Sequence, residues 1–240
     1  MNQEANSRGG AQRRPASSFF GRRKGHELKN RQARLWDSLL PELQLDPFGG
    51  PAPDDLTVLF PTSVESVNLE IGFGGGEHLA RQAQDHPETG FIGVEPFING
   101  LAKMLGEVDG RGLNNVRLYG EDAAILLDWL PPASLSRVDL LYPDPWPKKK
   151  HWKRRFVNVK NLERIARVIE PGGLFRFASD IDTYVNWTLQ HIARQEALRW
   201  TAKQADDWRQ PWDVWHRTRY EAKAIREGRT PAYLVFERVS

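Results

Sequence analysis

VNLEIGFGGGE, residues 67–77, is the stretch on which the fold turns. A short apolar run from Val67 to Ile71 breaks into Gly72, Gly74, Gly75 and Gly76, and a helical pattern opens at Glu77. The order is strand, tight turn, helix. The same alternation continues downstream, with strand candidates at 91–95 (FIGVE), 116–119 (VRLY), 138–142 (VDLLY), 174–178 (LFRFA) and 232–239 (AYLVFERV). Between them Ile98, Leu101, Ala102 and Leu105 share a helical face, as do Val159, Leu162, Ala166 and Ile169, and the glycines at 172 and 173 are expected to end the second of these helices. Strands alternating with helices specify an α/β protein with a parallel sheet and crossover helices.

Upstream of this core the composition changes. Residues 1–30 are polar and basic, with Phe19, Phe20 and Leu28 as their sizeable apolar groups, and read as a flexible arm; residues 31–240 read as one domain. Leu35, Leu39 and Leu40 predict a short helix that stops at Pro41, followed by a Pro- and Gly-rich loop to Pro61. The chain has 240 residues, no cysteine and a net charge of only +3, which excludes a disulfide framework, a thiolate metal site and a cysteine nucleophile. Its six histidines show no ligand spacing, so no metal is expected. No apolar run reaches the roughly 20 residues of a membrane span, and the expected location is the cytoplasm, as a monomer or homodimer.

Charge is concentrated where the total conceals it. Arg13, Arg14, Arg22, Arg23, Lys24, Lys29, Arg31 and Arg34 lie against the single acid Glu27, and KKKHWKRR (148–155) forms a second basic run. Two such runs in a modestly charged protein point to a polyanion.

In open α/β sheets ligands bind at the carboxyl ends of the strands. The first strand ends in E-I-G-F-G-G-G, where Gly72 and Gly74 let the backbone approach a ligand closely. A dinucleotide fingerprint needs its third glycine at position 77, where this chain has Glu77, a poor neighbour for a pyrophosphate. A phosphate-free adenosyl sulfonium suits a loop framed by Glu70 better. Glu95, at the end of the second strand, is placed to accept from ribose hydroxyls, and Asp122, after the third, from the adenine amino group. The fourth strand runs into Y-P-D-P-W-P (142–147), whose prolines fix the turn and present Asp144 beside Trp146. The basic run starts at once with Lys148, the arrangement expected where phosphates anchor a nucleic acid and a base enters a pocket.

These residues resemble the bacterial tRNA (guanine-N7-)-methyltransferase family: E-I-G-F-G, G-V-E, P-D-P-W followed by Lys148, K-R-R at 153–155, A-S-D at 178–180 and T-R-Y-E at 218–221 occur in order. The resemblance implies the class I methyltransferase (Rossmann-like) fold, a mostly parallel seven-stranded sheet with helices on both faces. It also implies S-adenosylmethionine as cofactor, tRNA as partner, and N7 of guanine 46 in the variable loop as target. Glu70, Glu95, Asp122 and Asp144 become cofactor positions, with Asp144 also catalytic. Lys148, Asp180, Thr218, Arg219, Tyr220 and Glu221 become substrate contacts, and Lys150, His151, Trp152, Lys153, Arg154 and Arg155 RNA contacts. Pro147 and Trp152 stand where the family pattern carries polar residues. Methylation of an exocyclic amino group, an RNA-binding module without catalysis and a nicotinamide-dependent oxidoreductase are the competing readings.

Overall fold

Alternation along the strands sorts the core. The computed structural model describes residues 20–239. Seven strands, β1 (Ser66–Ile71), β2 (Thr89–Val94), β3 (Val116–Tyr119), β4 (Leu135–Leu141), β5 (Ile169–Ser179), β6 (Leu198–Trp200) and β7 (Ala232–Arg238), form one sheet in the order β3-β2-β1-β4-β5-β7-β6. The pairings among β1 to β5 are parallel, and β7 runs antiparallel to both β5 and β6. The sheet is therefore mostly parallel and seven-stranded, as expected. Its helices are α1 (Asn30–Ser38), α2 (Leu40–Leu43), α3 (Glu77–Asp85), α4 (Ile98–Arg111), α5 (Ala123–Trp129), α6 (Val159–Val168), α7 (Asp182–Ile192), α8 (Asp206–Arg209) and α9 (Arg219–Arg226). In β2, Phe91 joins an apolar cluster with Leu79, Leu101 and Leu105, whereas Ile92 and Val94 join a second cluster with Leu126, Leu162 and Ile165. Successive side chains thus feed opposite faces, each covered by helices.

Three expectations are corrected. β6, three residues long, has no apolar run of its own and is not among the strands expected from the sequence. Helix α6 ends at Val168, so Ile169 caps it and pairs with Leu135 in the sheet; Pro171, Gly172 and Gly173 lie within β5, where the register shifts between Leu135 and Arg137. Pro41 ends nothing: α1 stops at Ser38, and Pro41 occupies the first turn of α2, where its missing N–H costs no hydrogen bond.

The expected arm over residues 1–30 lies outside the described residues as far as 19. Beyond that point the chain is tied to α4: Ile98 N–H donates to the Arg23 carbonyl (2.9 Å), Gly25 N–H to Asn99 Oδ1 (2.7 Å), and Asn99 Nδ2 to the His26 carbonyl (2.8 Å). Arg23 and Glu121 form an ion pair at 2.7 Å, and Arg31 and Asp109 one at 2.6 Å.

Candidate active site at the strand ends

Past the ends of β1, β2, β3 and β4 lies a cavity of about 410 Å³, within the usual range for small-molecule sites. Gly72, Gly74, Glu95, Asp122, Asp144 and Trp146 all line it.

Each acid is fixed by the element it follows. Glu95 is 8% exposed; Oε2 accepts from Gly74 N–H (2.8 Å) and Oε1 from Phe97 N–H (2.9 Å). The carboxylate therefore occupies a loop amide that a pyrophosphate would need, and this favours an adenosyl ligand without phosphate over a dinucleotide. Burial pushes the Glu95 carboxyl above the ordinary carboxylate range; the amides of Phe97 and Gly74 pull it back, and the nearby charge of Asp144 pushes it further up. Asp122 is the N-cap of α5, its Oδ1 accepting from Ala124 N–H (3.0 Å). Apolar wall comes from Pro96, Phe97 and Ala123. A flat base, ribose hydroxyls and a cation all find chemically matched partners in this set.

Gly74 adopts a left-handed φ of +61°, and a Cβ there would come 3.2 Å from Tyr220 Cε2. Gly100 is tighter still. A Cβ on that residue would sit 2.3 Å from the Gly74 carbonyl oxygen, so only glycine lets α4 approach the loop this closely.

Asp144 projects from a strained turn. Tyr142 and Trp146 both carry positive φ, +50° and +43°, unusual for bulky residues and tolerated where surrounding contacts over-determine the backbone. Asp144 keeps one side open to solvent, while desolvation by the cavity wall raises its carboxyl above the ordinary range. The Arg154 guanidinium lies over Trp146 (4.9 Å) and Phe20 (5.5 Å), and His151 meets Trp146 edge-on. Lys153 and Arg154 line the cavity; Lys148, Lys149 and Lys150 stand exposed beside it.

Several expected residues lie elsewhere. Glu70 is buried but does not line the cavity. Strand alternation turns Ile71 into the cavity and Glu70 to the face of α3, where His78 Nδ1 lies 2.7 Å from Glu70 Oε2. The His78 ring in turn packs against Trp215 (5.3 Å). Burial alone lowers the His78 pKa, but the Glu70 charge and hydrogen bond outweigh it and the net shift is upward. Within T-R-Y-E, only Arg219 and Tyr220 reach the cavity. Thr218 is the N-cap of α9, its hydroxyl accepting from Glu221 N–H (3.1 Å). Glu221, 2% exposed, accepts from Trp215 Nε1 (2.6 Å) and the Tyr233 hydroxyl (2.5 Å), and so anchors the helix that carries Arg219 and Tyr220. Asp180 is paired with Arg229 at 2.5 Å. Trp152 packs edge-on against Trp187 (5.8 Å), and Arg155 is 1% exposed, its donors turned inward, so neither presents itself to a phosphate.

Other cavity residues carry weaker signals in the sequence. Asn158 and Asn161 line the wall, and Asn158 is the N-cap of α6 with Oδ1 accepting from Asn161 N–H (3.1 Å). An asparagine just before the Val159 pattern is a capping signal that marks this position. Phe20 and Arg22 also line the cavity, and no local signal in a basic segment points there.

Comparisons with known proteins agree with this geometry. A family model described as a putative methyltransferase matches residues 64–234. The chain is 60% identical to a tRNA (guanine-N(7)-)-methyltransferase of Rhizobium meliloti (strain 1021) and 61% identical to one of Agrobacterium fabrum, each over 94% of this chain and 97% of the relative. Among solved structures, the 16S rRNA methyltransferase KamB superposes with a TM-score of 0.56 at 16% identity, covering 80% of this chain and 96% of that one. The aminoglycoside resistance methyltransferase NpmB1 gives 0.52 at 16%, over 79% and 95%. At such identities the likeness shows the fold alone, while the relatives at about 60% and the match over 64–234 show the family. With its acids gathered at the strand ends around a glycine loop, the chain belongs to the bacterial tRNA (guanine-N7-)-methyltransferase family.

Proposed function

We propose that the chain transfers the methyl group of S-adenosylmethionine to N7 of a guanine in tRNA, at position 46 of the variable loop. The observation that carries this reading is the single cavity lined by Glu95, Asp122 and Asp144 on one side and by Lys153, Arg154, Arg219 and Tyr220 on the other. When bound, S-adenosylmethionine supplies an electrophilic methyl group on a sulfonium. Gly72, Gly74, Glu95 and Asp122 would hold it, with Phe97 and Ala123 against its flat base. Glu70 supports the loop from behind through His78.

Guanine N7 offers a lone pair and bears no proton, so the chain needs no general base. Asp144 acts instead as positioner and electrostatic partner. Methylated guanine is cationic, and a carboxylate held beside it stabilises the charge as it develops. Tyr220 is placed to pack on the base, and Arg154 is already poised over the Trp146 ring. Alignment of the reacting groups by these walls supplies much of the acceleration, an effect that reaches about 7–11 kcal/mol in good cases.

Residues 31–240 form the catalytic domain in this reading, and residues 1–30 a basic arm that adds phosphate contacts. Lys148, Lys150, Lys153 and Arg154 anchor the RNA backbone. The reaction belongs to the cytoplasm, where tRNA is modified. To test the reading, the protein is incubated with methyl-labelled S-adenosylmethionine and unmodified tRNA, and the digested product is mapped by mass spectrometry. Label in 7-methylguanosine at position 46 is expected; label on an exocyclic amino group, or none in RNA, refutes it.

A further inference from the structure

Arg155 closes the basic run KKKHWKRR, yet it is 1% exposed. Its guanidinium uses all three nitrogens within the protein. Nε donates to the Pro145 carbonyl (3.0 Å), Nη1 to the Thr183 carbonyl (2.7 Å) and Nη2 to Thr183 Oγ1 (3.0 Å). Three aromatic rings surround it, with centroids 4.6 Å (Trp152), 4.6 Å (Tyr184) and 5.6 Å (Trp187) from Cζ. A cation so enclosed and so directed is a fixed point, since the planar fork orients its donors and the ring faces favour its charge.

The partner it fixes matters most. Pro145 follows Asp144, and the Pro145 carbonyl shares its peptide plane with the nitrogen of Trp146, whose φ of +43° is strained. The proline ring fixes its own φ and confines Asp144 to extended backbone, so holding this carbonyl fixes the direction in which the Asp144 side chain leaves the turn. The far end of the clasp is the first turn of α7, part of the scaffold.

We propose that Arg155 is a positioning residue for Asp144, and that the last arginine of the basic run serves the reaction and not the RNA backbone. The proposal rests on the reading of the cavity as the methyl-transfer site. It accounts for an arginine at this position: lysine keeps a charge among the rings but carries its donors on one nitrogen, without the planar fork whose separate nitrogens here reach Pro145 and Thr183.

The test compares Arg155→Lys and Thr183→Val with wild type in steady-state methylation of unmodified tRNA, calorimetric binding of S-adenosylmethionine, tRNA binding across a salt series, and thermal denaturation. Arg155→Lys is expected to lower kcat at saturating tRNA at least tenfold, with cofactor affinity within about twofold and the salt slope of tRNA binding unchanged. Were Arg155 neutralising a phosphate, Arg155→Ala would reduce the salt slope of tRNA binding by about one unit, and that result overturns the proposal; an unchanged slope in Arg155→Ala is expected. Thr183→Val removes one acceptor on an exposed turn, keeps the fold, and is expected to lower kcat several-fold in the same pattern. Arg155→Ala is expected to regain part of its kcat, saturably, with millimolar guanidinium ion. Wild-type kcat in both Arg155→Lys and Thr183→Val sinks the positioning role alone, whereas a wild type that fails to methylate tRNA sinks the underlying reading and this proposal with it.

Discussion

The Asp144 charge bears on Glu95, and both carboxyls lie above the ordinary range, Glu95 chiefly and Asp144 wholly through desolvation. Asp144→Asn keeps the shape of the side chain and removes the charge. It is expected to lower kcat by about 10²-fold, the scale of losing one preorganised electrostatic partner, with a much smaller effect on cofactor affinity. The same substitution relieves Glu95 of a neighbouring like charge, so its pKa falls. The acid-side loss of S-adenosylmethionine affinity, followed by calorimetry against pH, is therefore expected to move to lower pH in Asp144→Asn. Glu70 tests the opposite face of the sheet. The His78 pKa is raised above its ordinary 6.5, because the Glu70 charge and hydrogen bond outweigh the burial that lowers it. Stability from this pair is fully present below pH 6.5 and is lost as pH rises through the higher folded value. Glu70→Gln is expected to lower Tm at pH 6 and to flatten its decline as pH rises above 6.5, read by thermal denaturation.

Elements show why some features are legible in the sequence and others are not. Strand ends are readable because β1 to β4 carry apolar runs that break at a glycine, an acid or a proline, so Gly72, Glu95, Asp122 and Asp144 can be named from their place after a strand. Side-chain direction is harder. Glu70 stands one residue from Ile71, and the period of two sends it to α3 although it belongs to the same motif. The T-R-Y-E segment mixes roles for a similar reason: a helix start turns the cap and the third residue inward and leaves Arg219 and Tyr220 to face the cavity. Three-residue β6 is hidden because pairing with β7, and no pattern of its own, makes it a strand. Gly100 is unreadable for another reason, since its role is a contact between α4 and the glycine loop, distant in sequence. Gly100→Ala places a Cβ against the Gly74 carbonyl and is expected to destabilise the fold by about 1–3 kcal/mol, the usual cost of overpacking. It should also weaken cofactor binding, with Tm and calorimetry as readouts.

Over the whole molecule, the sheet holds four loops in one place and the basic segment after β4 forms the rim of the cavity they make. Net charge of +3 conceals this polarity, which the position of KKKHWKRR discloses. What the run does not disclose is which cations face outward, because burial of Arg155 depends on aromatic residues of α7. Lys153→Ala with Arg154→Ala is expected to weaken binding across tRNA species and to reduce the salt slope by about one unit for each phosphate no longer neutralised. An unchanged slope would return the run to ordinary solvated surface. The central claim, that one cavity at the strand ends receives the methyl donor, is tested most directly by amide hydrogen exchange with and without S-adenosylmethionine. Slower exchange is predicted together at residues 72–76, 95–99, 122–125 and 142–147. Protection confined to another part of the chain, or absent from 142–147, would contradict it.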